Sequence, residues 1–524
     1  MAEKHDLVHD QSHGISQRMG RAEETAHDNE AVFLDVGAAK LDDGDVGSLK
    51  LARDGHTVLV PRPSSDPQDP LNWSWHKKHA ILLVVAYSAF MADFSSAAGV
   101  PTIVVQGAEW NMEPNKVNYA GNLNVIMLGI GGVFWIPFVY FWGRAPVLFW
   151  TVFTGAFFTL GAELAPNFQV FYGMRALQGF TQTAAQSIGL AFIKDMFFFH
   201  EHARKIGIWV ALFIVSPYMA PLLGNFILAG TGQWRYVFWM VFGGCVFNII
   251  IIFIFVDETW YDRDRPIERQ PPRGHRLLRL IGTWQIQHHS DYFLTASRSL
   301  RRLTSVLFKP VIIPSVIYYL LSFMWAVGIN ICSSILLETP VAQGGYGFSA
   351  KGIGYLYFTP VVAVMLGEGF GHYLNDYIAN RYIRSHKGVF QPEVRLWMTY
   401  ISCFFMVPGL VILGQALQRH LHYAAIIMGW GMYVFGVMTA SVAITAYDLD
   451  CYPSGSGEVA GLLNFGRVVG GFSVGYFQLP WAQKSGYGLS FGLQALIVAV
   501  AFLIIIVLQI YGPRLRAKGG PLTL

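Results

Sequence analysis

From His79 onward the chain alternates apolar stretches of about twenty residues with short polar breaks, and this rhythm limits what it can fold into. In helical form, about twenty apolar residues cross the roughly 30 Å hydrocarbon core of a bilayer. No water is available there, so only helices and closed barrels can satisfy their own backbone. Candidate spans in the first half are 79–105, 118–142, 147–165, 169–193, 206–230 and 236–256. In the second half they are 311–337, 352–374, 395–416, 422–447, 457–481 and 488–511. The stretch from Tyr236 to Val256 has no charge at all. Pro137, Pro217, Pro221 and Pro360 interrupt other stretches, which neighbouring helices can accommodate.

Composition agrees. Of 524 residues, 53% are hydrophobic and 13% charged, about half the charge of an average soluble domain. The 15 Trp and 24 Tyr suit membrane–water interfaces. A net charge of +4 gives no reason to expect a nucleic-acid partner. Cys245, Cys332, Cys403 and Cys451 are widely separated and form no C-x-x-C pair, so they are read as packing residues without a disulfide framework or zinc site. No cofactor is expected.

Residues 1–78 are polar, have no secretory signal core and read as a disordered tail. His5, His9 and His13 recur every fourth residue, but nothing nearby would hold them as a metal site. The expected plan is this tail, a six-helix bundle over 79–256, a polar loop over 257–310, a second bundle over 311–513 and a short tail over 514–524. The fold class is therefore an all-α integral membrane protein, with about twelve helices in two pseudo-symmetric bundles. In such two-half plans the solute site lies between the halves near the midplane.

Loop charge orients the chain. The 257–310 stretch carries nine arginines from Arg263 to Arg302 and Lys309. Loops on the same side add Arg144, Lys194, Arg204, Lys205, Arg381, Arg384, Lys387 and Arg395. The other side has only isolated cations, among them Lys116, Arg235 and Lys351. The positive-inside rule places both termini and the long loop in the cytosol. The Asn72-Trp73-Ser74 sequence is then expected to stay unglycosylated.

Ionisable residues inside a bilayer are costly and mark candidate sites. Arg175, Gln178, Gln182 and Gln186 fall on one helical face, either lining a wet cavity or bonding helices together. Asp93 lies midway along the first span with Ser96 on its face, needing a cation, a proton or an arginine such as Arg175. Glu368, His372 and Asn375 share a face of the eighth span, running toward Asp376, and burial favours a neutral Glu368. Asn464 and Arg467 share a face of the eleventh, and Asp448 or Glu368 are the acids proposed for Arg467.

Several motifs in order resemble the major facilitator superfamily, specifically the fungal twelve-span drug:proton antiporters. They are D-P-Q-D-P-L-N-W-S-W-H-K-K at 66–78, P-F-V-Y-F-W-G-R-A-P-V at 137–147, R-A-L-Q-G at 175–179, S-P-Y-M-A-P-L-L-G-N at 216–225 and W-R-Y-V-F-W at 234–239. The second half adds L-N-D at 374–376, Q-P-E-V-R-L at 391–396 and the stretch from Tyr447 to Arg467. The resemblance implies a proton-coupling role for Arg175 and gating or structural roles for Gly143, Arg144, Pro217, Pro221 and Asp376; Arg467, too deep to stay unpaired, is expected with Asp448 to form a conformational latch or a structural pair. Tyr140 stands where the family has an acid and Ala145 where it has a second base, which implies a weaker charge latch in the first half and closure that leans on Asp376. Ser216, Ala220 and Asn225 replace glycines that characterise exporters, leaving direction open.

The expected function is secondary active transport of a small organic solute (drug, metabolite or organic cation) by alternating access. Protons are the expected coupling ion, since the chain has no phosphate-binding G-x-x-x-x-G-K-[ST] loop. Asp93, Ser96, Arg175, Gln178, Gln182, Gln186, Glu368 and Asn464 are the candidate solute and proton residues. A proton-independent facilitator and a non-transporting sensor are the alternatives, while an enzyme is not expected. The partners are the solute, protons and the lipid of the plasma membrane, around a monomer.

Overall fold

A computed structural model describes residues 59, 61 and 63–520, except 264, 342–344, 387–389 and 453–454. His5, His9, His13, Lys387, the side chain of Cys332, most of the 1–78 tail and residues 521–524 lie outside the described set.

The apolar rhythm becomes helix. The first half contains Trp75–Trp110, Pro114–Phe141 and Arg144–Glu163, a broken unit made of Phe168–Gln182 and Ala184–Met196, then Phe199–Thr231 and Arg235–Phe255. The second half contains Ile312–Glu338, Ala350–Ser385, Pro392–Gln418, Tyr423–Cys451, Ser456–Ser485 and Tyr487–Gly519. Among the described residues that makes twelve units of membrane length, several running past the expected ends. Ten are also apolar enough to cross a bilayer by composition. The two that fall short, the fourth and eleventh, carry Arg175 and Arg467, both almost fully buried. Burial separates the rest: 72% of the first span's apolar window is buried against 33% of the sixth's.

The fifth span explains how prolines survive mid-helix. A proline leaves the carbonyl four residues earlier without its donor. Pro217 orphans Phe213 O, which Ser216 Oγ takes at 2.7 Å. Pro221 orphans Pro217 O, which accepts a hydrogen bond from Asn330 Nδ2 of the other half at 2.8 Å. The second and eleventh spans meet closely enough that a Cβ at Gly129 would collide with Val468.

The 257–310 stretch folds against the first half. Asp257 receives Arg279 through both carboxylate oxygens, at 2.9 and 3.0 Å, and Lys77 at 3.0 Å. Burial would raise this carboxyl, but Arg279 and Lys77 hold it below the usual carboxylate range. Arg263 pairs with Asp69 at 3.1 Å, and Tyr261 donates to Asp66 at 3.0 Å. The end of the expected tail, from Asp66 onward, is therefore tied down. A helix over Ala296–Leu307 closes the stretch.

Candidate functional site

A cavity of about 810 Å³, its mouth included, lies between the halves. Its walls come from the first, second, fourth and fifth spans on one side and the seventh and eleventh on the other, and include Asp93, Ser96, Arg175, Asn330 and Arg467. At the boundary Arg467 Nη2 lies 2.8 Å from Asp93 Oδ2, with both side chains almost fully buried. Arg467 also donates through Nε and Nη2 to Asn464 Oδ1, at 3.0 and 2.7 Å. Asn464 Nδ2 donates to Gln186 Oε1 at 3.1 Å, and Gln186 Nε2 reaches Ala89 O at 3.5 Å. Ala89 is one helical turn before Asp93, so the chain of bonds closes on the span where it began. Phe213 and Phe323 each place a ring within 6 Å of the Arg467 guanidinium.

This corrects the expected pairings. Arg175 is not the partner of Asp93, and neither Asp448 nor Glu368 is the partner of Arg467. Asp448 accepts from Ser315 Oγ at 2.8 Å, and Glu368 sits 3.3 Å from His372. Helical phase puts residues on a face but does not say which distant residue the face meets.

The glutamine stripe divides. Gln178 and Gln182 do not line the cavity; their Nε2 atoms donate to Thr159 Oγ1 at 2.8 and 3.1 Å, and Gln182 also approaches Cys245 Sγ at 3.2 Å. They join the fourth span to the third and sixth. Gln186 belongs to the cross-half network, and only Arg175 reaches the cavity. Arg175 Nη1 donates to Ser95 O at 2.7 Å and to Gln178 Oε1 at 2.5 Å, and Nη2 donates to Ser96 O.

At the end of the bundle that bears the 257–310 stretch, Gly143 has φ +91°, and a Cβ there would strike the Glu258 carboxylate. That carboxylate accepts from the backbone nitrogens of Arg144 and Ala145, both at 3.2 Å. Arg144 Nε pairs with Asp195 at 3.0 Å, and Trp260 lies over its guanidinium at 4.3 Å. Asp195 and Glu258 thus supply carboxylates beside Arg144, where Tyr140 replaces the expected acid. Tyr140 faces the second half: its hydroxyl is 3.5 Å from Glu458, which also pairs with Arg302. Asp376 lies elsewhere, 3.5 Å from Arg395 within the second half and 55% exposed, so it does not join the halves.

Sequence reasoning passed over Gln106, Asn118, Asp195, Glu258, Arg302 and Glu458. A signal existed for one of them. Asn115, Asn118 and Asn122 recur at helical spacing at the start of a membrane-length span.

The profile of the Major Facilitator Superfamily matches residues 83–475, and the chain belongs to that family. Efflux pump radE of Floropilus chiversii is 25% identical over 529 residues, covering 97% of this chain and 94% of that protein. The MFS-type transporter atr4 of Stereocaulon alpinum is 24% identical, covering 86% and 81%. Among solved structures, the proton:xylose symporter XylE bound to 6-bromo-6-deoxy-D-glucose superposes with TM-score 0.59 at 14% identity, over 83% of this chain and 96% of that one. The last similarity is one of fold. With these relatives and its apolar helices, the chain is an integral membrane transporter of this superfamily.

Proposed function

We propose that this protein is a secondary active transporter that exports a small organic solute by alternating access, driven by protons. The observation that carries the reading is the cavity between the halves with the Asp93–Arg467 pair at their boundary. A pair split between two rocking bundles can form in one state and open in the other, so its energy is differential between states, as a conformational switch requires. Glu368, buried in the eighth span with His372 as its near neighbour, is the proposed proton carrier. Export draws support from the relative named as an efflux pump. The cation-rich end of the bundle, both termini included, is assigned to the cytosol, and the plasma membrane is the assigned location.

The test is counterflow in proteoliposomes across panels of organic anions, cations and sugars, followed by an imposed pH step with the solute that exchanges. Accumulation against the gradient, lost in Glu368→Gln while counterflow persists, is the expected result. Accumulation indifferent to the pH step removes the proton from the mechanism. A cysteine at exposed position 286 should resist impermeant maleimide in intact cells; labelling there would reverse the orientation.

A further inference from the structure

The charge of the cavity narrows what it can hold. Its ionisable lining consists of Asp93, Arg175, Arg467 and Tyr218. Asp93 and Arg467 neutralise each other at 2.8 Å. Arg175 has no carboxylate within ion-pairing distance among the described residues, and its Nη atoms rest on two backbone carbonyls and an amide. It is 1% exposed, and its Nε has no hydrogen-bond partner among the described residues. The cavity therefore holds one uncompensated positive charge in a medium where unpaired charge is expensive.

A second observation is independent of charge. Gln106 Nε2 and both Asn118 amide atoms are buried without partners among the described residues, and both residues line the cavity at 1% exposure. Buried donors left unmade cost free energy that a ligand can recover. The remaining wall is largely apolar, including Val100, Ile103, Phe323 and Val327.

We infer that the cavity takes an organic monoanion, with its carboxylate received by Arg175, Gln106 and Asn118 and an apolar body against the aliphatic and aromatic wall. A carboxylate accepts only, at about four lone-pair sites, which matches a guanidinium Nε–H and two amide N–H groups. An organic cation would have to displace Arg467 from Asp93 and would add like charge beside Arg175. The inference rests on the transport reading for the crossing of the membrane, whereas binding rests on the cavity itself.

The test uses matched probes on the purified full-length protein: 4-phenylbutyrate and decanoate, with the amine and the alcohol of each skeleton. Thermal shift titrations read binding, and counterflow in proteoliposomes reads transport. The carboxylates should stabilise the protein saturably and the amines should not. Arg175→Gln should weaken carboxylate binding at least about tenfold, and Arg175→Lys should restore part of it. If Arg175→Gln fails to fold, Gln106→Leu and Asn118→Leu decide, because those amides lose no protein partner; each should weaken the carboxylate several-fold and spare the alcohol. Amines binding while carboxylates do not, carboxylate affinity unchanged in the Arg175 and amide variants, or no binding by any probe overturns the inference. Carboxylate binding without counterflow leaves the anion site standing and removes the transport reading. Exchange of amines alone does the reverse.

Discussion

Asp93 and Arg467 are 374 positions apart in the chain and 2.8 Å apart in space, and this contact joins the two halves of the protein at the edge of the cavity. Removing one partner of a buried pair leaves an uncompensated charge, at a cost of about 3–5 kcal/mol, while removing both is much milder. Asp93→Asn and Arg467→Gln should each lower the unfolding temperature of the purified protein, and the double variant should recover much of the loss. A double variant as damaged as the sum of the singles would mean that the two residues do not interact. Transport by the double variant should be lost even where stability returns, because the switch between states is gone.

The Asn330–Pro217 contact supports a second test. Asn330→Ala strands the carbonyl that Pro221 leaves without its helical donor, at a cost of about 1–3 kcal/mol. Pro221→Ala restores a backbone N–H that can bond the same carbonyl. Measured in the Pro221→Ala background, the Asn330→Ala penalty should shrink by half or more. An identical penalty in both backgrounds would show that Asn330 acts through other contacts.

What could be read in the chain followed the range of each physical signal. Span existence is local, since a run such as Tyr236 to Val256 declares itself by length and lack of charge, and the polar fourth and eleventh spans were still legible between their breaks. Helical phase puts Arg175, Gln178, Gln182 and Gln186 on one face of an unbroken helix, but the span breaks between Gln182 and Gln186, so Gln178 and Gln182 meet the third and sixth spans, Arg175 the cavity and Gln186 the eleventh span. Partners of charges were the least legible. Asp93 sits far in sequence from Arg467, and Tyr140 read as a lost acid until Glu458 and Arg302 appeared beside it. Those choices belong to the packing of whole helices, which no window of neighbouring residues contains.

Asp257 gives a prediction in pH. Its folded carboxyl lies below the usual range because Arg279 and Lys77 outweigh the effect of burial, while an unfolded aspartate titrates near about 3.9. A depressed carboxyl contributes stability that is present above the unfolded value and lost as pH falls through the folded one. Hydrogen exchange in peptides from 257–285, corrected for intrinsic rates, should stay slow from pH 7 to about 4 and accelerate below. Asp257→Asn should be fast throughout and insensitive to that step. A wild-type loop equally protected at pH 3 and pH 6 would show that the pair contributes nothing to holding it.

The last prediction concerns the latch around Glu458. Its carboxylate faces Tyr140 of the first half and Arg302 of the intervening helix, and Arg302 lies over the Tyr140 ring at 4.5 Å. These contacts join the halves at the end bearing the 257–310 stretch, so they must break whenever that end opens. A hydrogen bond to a charged group contributes about 1.5–3 kcal/mol, and Glu458→Gln keeps the shape while removing the charge. The open population at that end should then rise at least about tenfold. Spin labels on cysteines at exposed positions 204 and 384, one in each half, would report this as a new long-distance component. Arg302→Gln should give the same component, and the double variant no more than either single, because both changes break one contact. Distances unchanged in both single variants would mean that the halves are held at that end by helix packing, as where Gly207 meets His372, and not by this cluster. Tyr140→Phe, which deletes only the hydroxyl, should then be equally silent; if the latch operates as argued, it should give a smaller shift in the same direction.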